Sequence, residues 1–166
     1  MTPTIKRILV PTDFSIPAEE AVDYAATLAA RFGATVHLIH VLQDPLAAQG
    51  AWEFYIPDSP EMRERRHQDA KDRLWHIASS HAKPDVRITT EARFGSPTAE
   101  IVAAAMAYGS DLIVMGTHGR TGLPHLLLGS IAERVIRTAP CPVLAVRQQL
   151  ATASVTAEAS LATAVR

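Results

Sequence analysis

Three glycines in fixed register follow an apolar segment and carry the most distinctive chemical pattern in the chain. Two residues separate Gly116 from Gly119, nine more separate Gly119 from Gly129, and Ser130 follows directly. Glycine permits positive φ and has no Cβ, so a ligand can approach the backbone closely. Freed N–H groups and the positive end of a helix beginning at Ser130 favour an anion. The pattern indicates phosphate binding, most readily of a nucleotide.

The same residues also fit a turn that binds nothing. Glycine-rich turns after strands are common, and Ser130 with Glu133 has the spacing of a capping box at a helix start. A P-loop is excluded because no Gly-Lys-Ser/Thr follows, and the first strand–helix turn lacks the G-x-G-x-x-G dinucleotide pattern. Spacing alone therefore leaves phosphate binding and a ligand-free turn both open.

The elements that must position these residues alternate between strands and helices. Apolar and β-branched runs predict strands at 5–10, 35–42, 86–92, 112–115 and 143–146. Helical spacing and cap residues predict helices at 17–32, 60–81 and 130–137, with a further helix beginning at Pro97 behind its N-cap Ser96. Residues 43–59, which contain two prolines and a glycine, are predicted to be a long loop.

The predicted fold class is α/β: a single-domain open parallel five-stranded sheet, order 3-2-1-4-5, with helices on both faces (Rossmann-like). Strands 1, 2 and 4 are nearly continuous apolar runs and should be central, which leaves strands 3 and 5 at the edges. Ligands bind where the strand order reverses, here between strands 1 and 4. Residues 11–15 and the glycine loop meet there, which strengthens the nucleotide hypothesis.

Length, composition and charge disfavour a nucleic-acid-binding protein, a membrane protein and a secreted protein. The chain has 166 residues, 48% of them hydrophobic, and a net charge of −1, which suits one globular domain and disfavours a broad nucleic-acid surface. No window approaches the ~18 apolar residues of a membrane span. Strand-like sequence begins at Ile5 without a signal peptide, so we expect a cytoplasmic protein. The nucleotide-binding domain is predicted over 1–147, with a flexible Ala/Thr/Ser-rich tail over 148–166.

Other reactive side chains lack a spacing that would make them a site. His37 and His40 lie three apart on a predicted strand and face opposite sides of it, which disfavours a zinc site. Cys141, the single cysteine, stands between two prolines and fits a small buried residue better than a nucleophile. The arginines of the 60–81 helix are interspersed with acidic residues and indicate a solvated helix face.

Taken together, these segments resemble the universal stress protein family, and the resemblance covers residues 6–147. It rests on 8–15, 38–41, 95–97, 111–120, 128–135 and 139–144, with Ala25, Leu28 and Ala29 in the first helix. Within that family, members with the pattern G-x2-G-x9-G-[S/T] are typically ATP binders. Gly116, Gly119, Gly129 and Ser130 match this pattern in the present chain. The resemblance therefore implies the ATP-binding branch.

The resemblance also implies which residues surround the adenosine. Pro11, Thr12 and Asp13 are expected to line the adenine and ribose part of the pocket, and Asp13 to hold a metal ion through water. The backbone of Val41 is expected to hydrogen-bond the adenine edge. Met115 and Gly116 are expected to lie under the ribose.

A second group of residues is implied for the phosphates. Gly119, Gly129, Ser130 and Ile131 are expected to present backbone N–H groups, with the hydroxyl of Ser130 among the donors. His118 and Arg120 are expected close by. Because a triphosphate meets few cationic side chains here, the implied cofactor is ATP with Mg²⁺ or Mn²⁺.

Three functions follow from these expectations. The favoured one is a regulatory, stress-response module that binds ATP and acts on an unknown protein partner. An enzyme, either a slow ATPase or a nucleotidyl- or phosphotransferase, is less favoured because the sequence offers no dedicated catalytic constellation, so no catalytic residue is assigned. A structural dimer without nucleotide is the third.

A homodimer is expected through the last strand, Val143–Val146. This strand is short, apolar and at a sheet edge, and the following tail has too few large apolar residues to cover it. Antiparallel pairing with its own copy about a two-fold axis would satisfy both edges. The resemblance implies the same arrangement, with Val143 and Val146 near the axis. Replacing Leu144 by proline is expected to disrupt the pairing.

Overall fold

A computed structural model describes residues 4–43, 59–117 and 128–147. Three of the predicted site residues, His118, Gly119 and Arg120, lie outside the described residues. So do nearly all of the predicted long loop, at 44–58, and the whole predicted tail, at 148–166. The predictions made for these segments therefore stay predictions, as does the division of the chain at residue 147.

Strands and helices alternate as the sequence predicts. The elements of the described residues are, in chain order, β1 (Arg7–Pro11), α1 (Ile16–Phe32), β2 (Thr35–Leu42), α2 (Pro60–Ser80), β3 (Ile88–Phe94), α3 (Pro97–Tyr108), β4 (Leu112–Gly116), α4 (Ser130–Thr138) and β5 (Val143–Val146). None of these helices is long and apolar enough to cross a membrane.

Several strand boundaries differ from the sequence prediction by one or two residues, and two of these differences have local reasons. Pro11 belongs to β1 and pairs with Ile39 of β2. Proline has no N–H, but the N–H of the next residue, Thr12, donates to the Ile39 carbonyl at 2.8 Å and continues the pairing. At β3 the prediction begins too early. Asp85 has φ 64° and the N–H of Val86 donates to the Lys83 carbonyl at 3.2 Å, so a turn occupies these residues and delays the strand to Ile88.

The five strands form one parallel sheet in the order β3-β2-β1-β4-β5, as predicted. The near-continuous apolar runs of β1, β2 and β4 place side chains in both cores because successive residues face opposite sides. One core packs α1 and α2 against Ile8, Val10 and Leu38. The other packs α3 and α4 against Leu9, Ile39 and Ile113. The sheet is therefore covered on both faces.

The strand order reverses between β1 and β4, which are direct neighbours. The chain leaves β1 through α1 toward β2 and returns from β3 through α3 to β4, on the opposite face. The two connections part at this point and leave a crevice at the carboxyl ends of the strands. The turn from β1 to α1 and the end of β4 both lie at the crevice.

The start of α4 corrects one prediction made from the sequence. Gly129 is the N-cap, with φ −72° and ψ 152°, and its carbonyl accepts the N–H of Glu133 at 2.9 Å. Ser130 is thus the first helical residue and forms no side-chain cap hydrogen bond. The predicted capping box of Ser130 and Glu133 is wrong. The N–H of Gly129 donates to the Thr117 carbonyl at 2.7 Å and so holds the cap one residue earlier.

Candidate functional site

A cavity of about 130 Å³ lies in the crevice at the carboxyl ends of β1, β2 and β4. We call it the inner cavity. Its walls come from those three strand ends and from the first turns of α1, α3 and α4. Most of the predicted site residues in the described part of the chain meet here, namely Pro11, Thr12, Asp13, Val41, Met115, Gly116 and Ile131.

One side of the inner cavity is apolar. Ile39, Val41 and Met115 supply it from the sheet, and Ile101 and Ala132 supply it from α3 and α4. Four of the five belong to the core between the sheet and these two helices, with Val41 packed against it. Such walls suit a flat aromatic ring, which gains from leaving water and can still use backbone groups at its polar edge.

The turn from β1 to α1 fixes a carboxylate at the inner cavity. The buried Thr12 accepts the N–H of Phe14 on its Oγ1 at 3.0 Å. Asp13 Oδ1 accepts the N–H of Ser15 at 3.1 Å and its hydroxyl at 2.5 Å. Ser15 is the N-cap of α1 in position, but its side chain bonds Asp13 and forms no cap hydrogen bond. The carboxylate is therefore oriented before any ligand binds.

Phe14 is in an unusual backbone conformation within this turn. Its φ is 64°, a region that a bulky residue adopts at a cost of roughly 1–3 kcal/mol when surrounding structure enforces it. Its ring lies 4.2 Å from the ring of His40, centroid to centroid, and 3.8 Å from the guanidinium carbon of Arg73. Strain of this kind is concentrated at functional sites, which makes the turn a candidate contact for a ligand.

The beginning of α4 supplies hydrogen-bond donors. The N–H groups of Ser130, Ile131 and Ala132 cannot be satisfied inside the helix, because they lie in its first turn. Ile131 and Ala132 line the inner cavity, and Ser130 lines a second cavity beside it. The positive end of the helix dipole adds to these donors, so the arrangement suits a phosphate or another anion.

Gly129 does not present a free donor to this site. Its N–H is bonded to the Thr117 carbonyl, and the residue is not among those that line either cavity. In the conformation described this N–H is engaged by Thr117, and its contact with a phosphate stays a prediction. The bond joins the end of β4 to the start of α4, which positions the N–H groups of Ser130 and Ile131.

Gly116 lines the inner cavity, and the structure gives a packing reason for glycine at this position that the sequence does not show. A Cβ on this residue would stand 2.9 Å from the Pro17 carbonyl oxygen and 3.2 Å from the nitrogen of Ala18. These are backbone atoms of α1, which cannot move aside like a flexible side chain. The close approach of β4 to α1 therefore favours glycine here on structural grounds, and its place under the ribose stays a prediction.

His40 lines the inner cavity and was considered from the sequence as a metal ligand alone. Its Nδ1–H donates to the Thr12 carbonyl at 2.7 Å, which ties β2 to the β1–α1 turn. Within the described ranges no group of three or more His, Cys, Asp or Glu side chains is arranged to hold a metal ion. A polar residue near the carboxyl end of a central strand is the signal that could have found it.

Ion pairs hold β3 to α3 beside Pro97, a wall residue of the inner cavity. Arg93 Nε lies 2.8 Å from Glu91 Oε1, and its Nη1 lies 3.6 Å from Glu100 Oε2. His37 Nε2 lies 3.0 Å from Glu91 Oε2. The hydrogen bond from Arg93 lowers the pKa of Glu91, with a smaller contribution from His37 against the opposing effect of burial.

Because its pKa is lowered on folding, Glu91 should stabilise the protein above the unfolded-state pKa of about 4.3 and lose that effect as pH falls through the lower folded pKa. We expect Glu91→Gln to reduce the loss of unfolding free energy between pH 7 and pH 3. The reduction should be less than ~1 kcal/mol, since the pair is partly solvated. Urea unfolding between pH 3 and 7 measures this. Glu64→Gln on exposed α2 is the control, and an equal change in both variants would contradict the assignment.

Cys141 shows no sign of a nucleophile. Burial raises the pKa of its thiol, and the charge of Asp111 raises it further. A thiol with a raised pKa stays protonated at neutral pH and reacts slowly. The side chain packs against the core under α3 and α4, in agreement with a structural residue.

Comparison with known proteins identifies the family of this chain. The sequence model of the universal stress protein family matches residues 4–147. The universal stress protein MJ0531 of Methanocaldococcus jannaschii is 42% identical over 147 residues, which cover 86% of this chain and 82% of the relative.

Solved structures show the same fold. That of MJ0577, a universal stress protein from the same organism, is 32% identical with a TM-score of 0.75, covering 89% of this chain and 99% of that one. A universal stress protein from Archaeoglobus fulgidus, solved in complex with dAMP, is 20% identical with a TM-score of 0.56, covering 87% and 99%, and shows the fold alone. By its sequence, its strand order and these similarities, the chain belongs to the universal stress protein family.

Proposed function

We propose that this protein is a regulatory module that binds ATP, with Mg²⁺ or Mn²⁺, in the inner cavity. The observation that carries the proposal is the combination found in one crevice. Apolar walls from three strands, an oriented carboxylate at Asp13 and the donors of the α4 N-terminus converge there. These are the partners that an adenine ring, a metal-bound phosphate and a phosphate oxygen each require.

The adenosine is assigned to the apolar side of the cavity. The ring fits between the side chains from the sheet and those from α3 and α4, with backbone groups of Val41 at its polar edge. Pro11, Thr12 and Asp13 then surround the ribose from the β1 side, and Met115 and Gly116 lie beneath it from β4. The dAMP complex of a relative with the same fold makes adenine nucleotides the first ligands to test.

The phosphates are assigned to the start of α4. Ser130 and Ile131 would donate to them through backbone N–H groups and the serine hydroxyl, with His118, Gly119 and Arg120 as further predicted contacts. The divalent ion would be carried by the phosphates. Because Ser15 already holds Oδ1 of Asp13 through two hydrogen bonds, this carboxylate suits a contact with the ion through water.

Regulation is favoured over catalysis on the chemistry of the site. Phosphoryl transfer needs a positioned base or a residue that orients water, together with strong charge neutralisation. In the described ranges, the side chains lining the inner cavity include one carboxylate, Asp13, which is engaged by Ser15, and one imidazole, His40, whose Nδ1 is engaged by Thr12. The proposal therefore assigns no catalytic residue.

Two measurements test the proposal. Purified protein is denatured and the released nucleotide is identified and counted, and nucleotide-free protein is titrated by calorimetry with Mg·ATP and Mg·GTP. We expect adenine nucleotide in the purified protein and tighter binding of Mg·ATP than of Mg·GTP. Absence of binding to both would overturn the proposal and favour a structural dimer. Single-turnover hydrolysis of labelled ATP faster than in buffer would favour the enzyme.

Two substitutions of Asp13 separate its role in the β1–α1 turn from its role in binding the ligand. Asp13→Asn keeps an oxygen that can accept from Ser15 but removes the charge, whereas Asp13→Ala removes both. We expect both variants to weaken Mg·ATP binding by ~1–3 kcal/mol, the scale of a charge-assisted hydrogen bond. The alanine variant alone should also melt at a lower temperature. Unchanged affinity per folded molecule in the asparagine variant would show that Asp13 acts on the turn and not on the ligand.

We also propose a homodimer formed through β5. In the described ranges β5 pairs with β4 and no other strand, so its other side is an open edge. The side chain of Leu144 is 37% exposed. Antiparallel pairing of β5 with its own copy would satisfy the open N–H and C=O groups of both protomers and cover these apolar side chains.

A further inference from the structure

A second cavity, of about 590 Å³, opens beside the first. We call it the outer cavity. The two share Asp13, His40, Val41, Gln43 and Ile131 in their walls, so they are adjacent. The outer cavity adds residues of α2 that the inner one lacks, together with Phe14 and Ser130.

The two cavities differ in charge. In the described part of the chain, no lysine or arginine lines the inner cavity, whereas Arg66 and Arg73 of α2 both line the outer one. The sequence indicates a solvated face for this helix, and the structure directs these two side chains to the outer cavity. Among the described residues that line the two cavities, an anion at the start of α4 would therefore meet guanidinium groups on the outer side.

Each arginine is placed by a defined contact. The guanidinium carbon of Arg73 lies 3.8 Å from the centre of the Phe14 ring, which in turn packs on His40. Arg66 Nη2 donates to the Gln43 carbonyl at 3.2 Å. A guanidinium stacked on a ring still directs its N–H donors outward from its edge. Among the described residues Arg73 forms no ion pair, so this contact leaves those donors for a ligand.

We infer that the outer cavity is the subsite for the terminal phosphates of a nucleoside triphosphate, with Arg73 and Arg66 as its cationic contacts. The inference rests on the proposed function, which assigns the adenosine to the inner cavity and the phosphates to the start of α4, and it adds where the terminal ones extend from there. Ser130 lines the outer cavity, so a polyphosphate passing its hydroxyl enters the space that the two arginines line. The arrangement selects a triphosphate over a monophosphate.

Acidic side chains also line the outer cavity, and they affect which form of the triphosphate can bind there. Asp13 and Asp69 contribute two carboxylates beside the two guanidinium groups. A bare triphosphate would meet both signs of charge. A divalent ion carried between the phosphate oxygens offsets the carboxylates, so the preference for the triphosphate depends on Mg²⁺.

Binding of Mg·ATP, Mg·ADP and AMP to full-length protein and its variants tests the subsite. The variant is Arg73→Met, which keeps an apolar stem against Phe14, and the control is Arg65→Met, an exposed neighbour on α2 that lines neither cavity. We expect Arg73→Met to weaken Mg·ATP about tenfold, as for loss of one charge-assisted hydrogen bond, and to leave AMP unchanged. Arg65→Met should change neither. Arg66→Met provides a second test that does not involve Phe14.

The outcomes separate this inference from the proposed function. If wild-type protein binds none of the three nucleotides, the proposed function fails and the subsite fails with it. If wild-type protein binds ATP and AMP equally, or if Arg73→Met and Arg66→Met lower both affinities by the same factor, the nucleotide site stands and the phosphate subsite is overturned. Thermal melting of each variant confirms that the compared proteins are equally folded.

Discussion

Replacing Ala145 by proline is expected to convert the proposed dimer to a monomer while each protomer stays folded. The reason is the direction of the backbone groups in β5. Ile113 donates to the Pro142 carbonyl at 3.0 Å and Thr117 donates to the Val146 carbonyl at 2.9 Å. Since alternate residues of a parallel strand face the same neighbour, the backbone of Leu144 also faces β4. The N–H groups of Val143 and Ala145 face the open edge.

This pattern corrects the choice of Leu144 for the proline test. A proline there would remove a hydrogen bond between β4 and β5 and destabilise the protomer, so loss of the dimer would have no clear cause. At Ala145 the lost donor belongs to the open edge, and the proline ring projects toward the partner strand.

Mass in solution, by light scattering at micromolar concentration, is the measurement, with thermal melting as the check on folding. Leu144→Ala is the matched control, because it shortens a side chain and keeps every backbone donor. It should remain a dimer. A monomeric wild-type protein would refute the homodimer, and an unchanged dimer in Ala145→Pro would refute pairing through β5.

The fold could be predicted from the sequence because its signals are local and mutually consistent. The apolar runs of β1, β2 and β4 differ from the mixed sequence of β3, and this difference predicts that β3 is an edge strand. Gly33 has φ 63° and ends α1 as its position predicts. At Val86 a turn hydrogen bond delays the start of β3, and at α4 the predicted start is right but Gly129 takes the place of Ser130 as the N-cap.

The candidate site was predicted less completely because its walls come from residues far apart in sequence. Position after a strand identified the segment of Asp13, since the carboxyl ends of parallel strands share one edge, whereas Val41 and Met115 were expected from the family resemblance. No such rule identifies Arg73, which lies within a charged helix and reaches the outer cavity through the Phe14 ring. Its role depends on the packing of α2, and sequence spacing does not encode that.

The glycine pattern illustrates the same limit and yields the last prediction. Gly116→Ala is expected to lower the free energy of unfolding by ~1–3 kcal/mol, the usual cost of overpacking. The added Cβ would stand 2.9 Å from the Pro17 carbonyl oxygen, and relief requires β4 or α1 to shift. Urea unfolding at neutral pH measures the loss. Any loss of nucleotide affinity should follow from this displacement, since α1 begins beside Asp13.

Gly129→Ala is the matched comparison within the same pattern. Gly129 has φ −72° and ψ 152°, which alanine adopts without strain, so the cost should stay below ~1 kcal/mol, the range of N-cap substitutions. If the two variants are destabilised equally, the close approach of Gly116 to α1 does not explain its glycine. If Gly116→Ala is as stable as the parent but binds no nucleotide, this glycine serves the ligand, as the sequence pattern alone suggests. The physical distance to Pro17 favours the first role, because backbone atoms there cannot yield without moving the helix that carries the site.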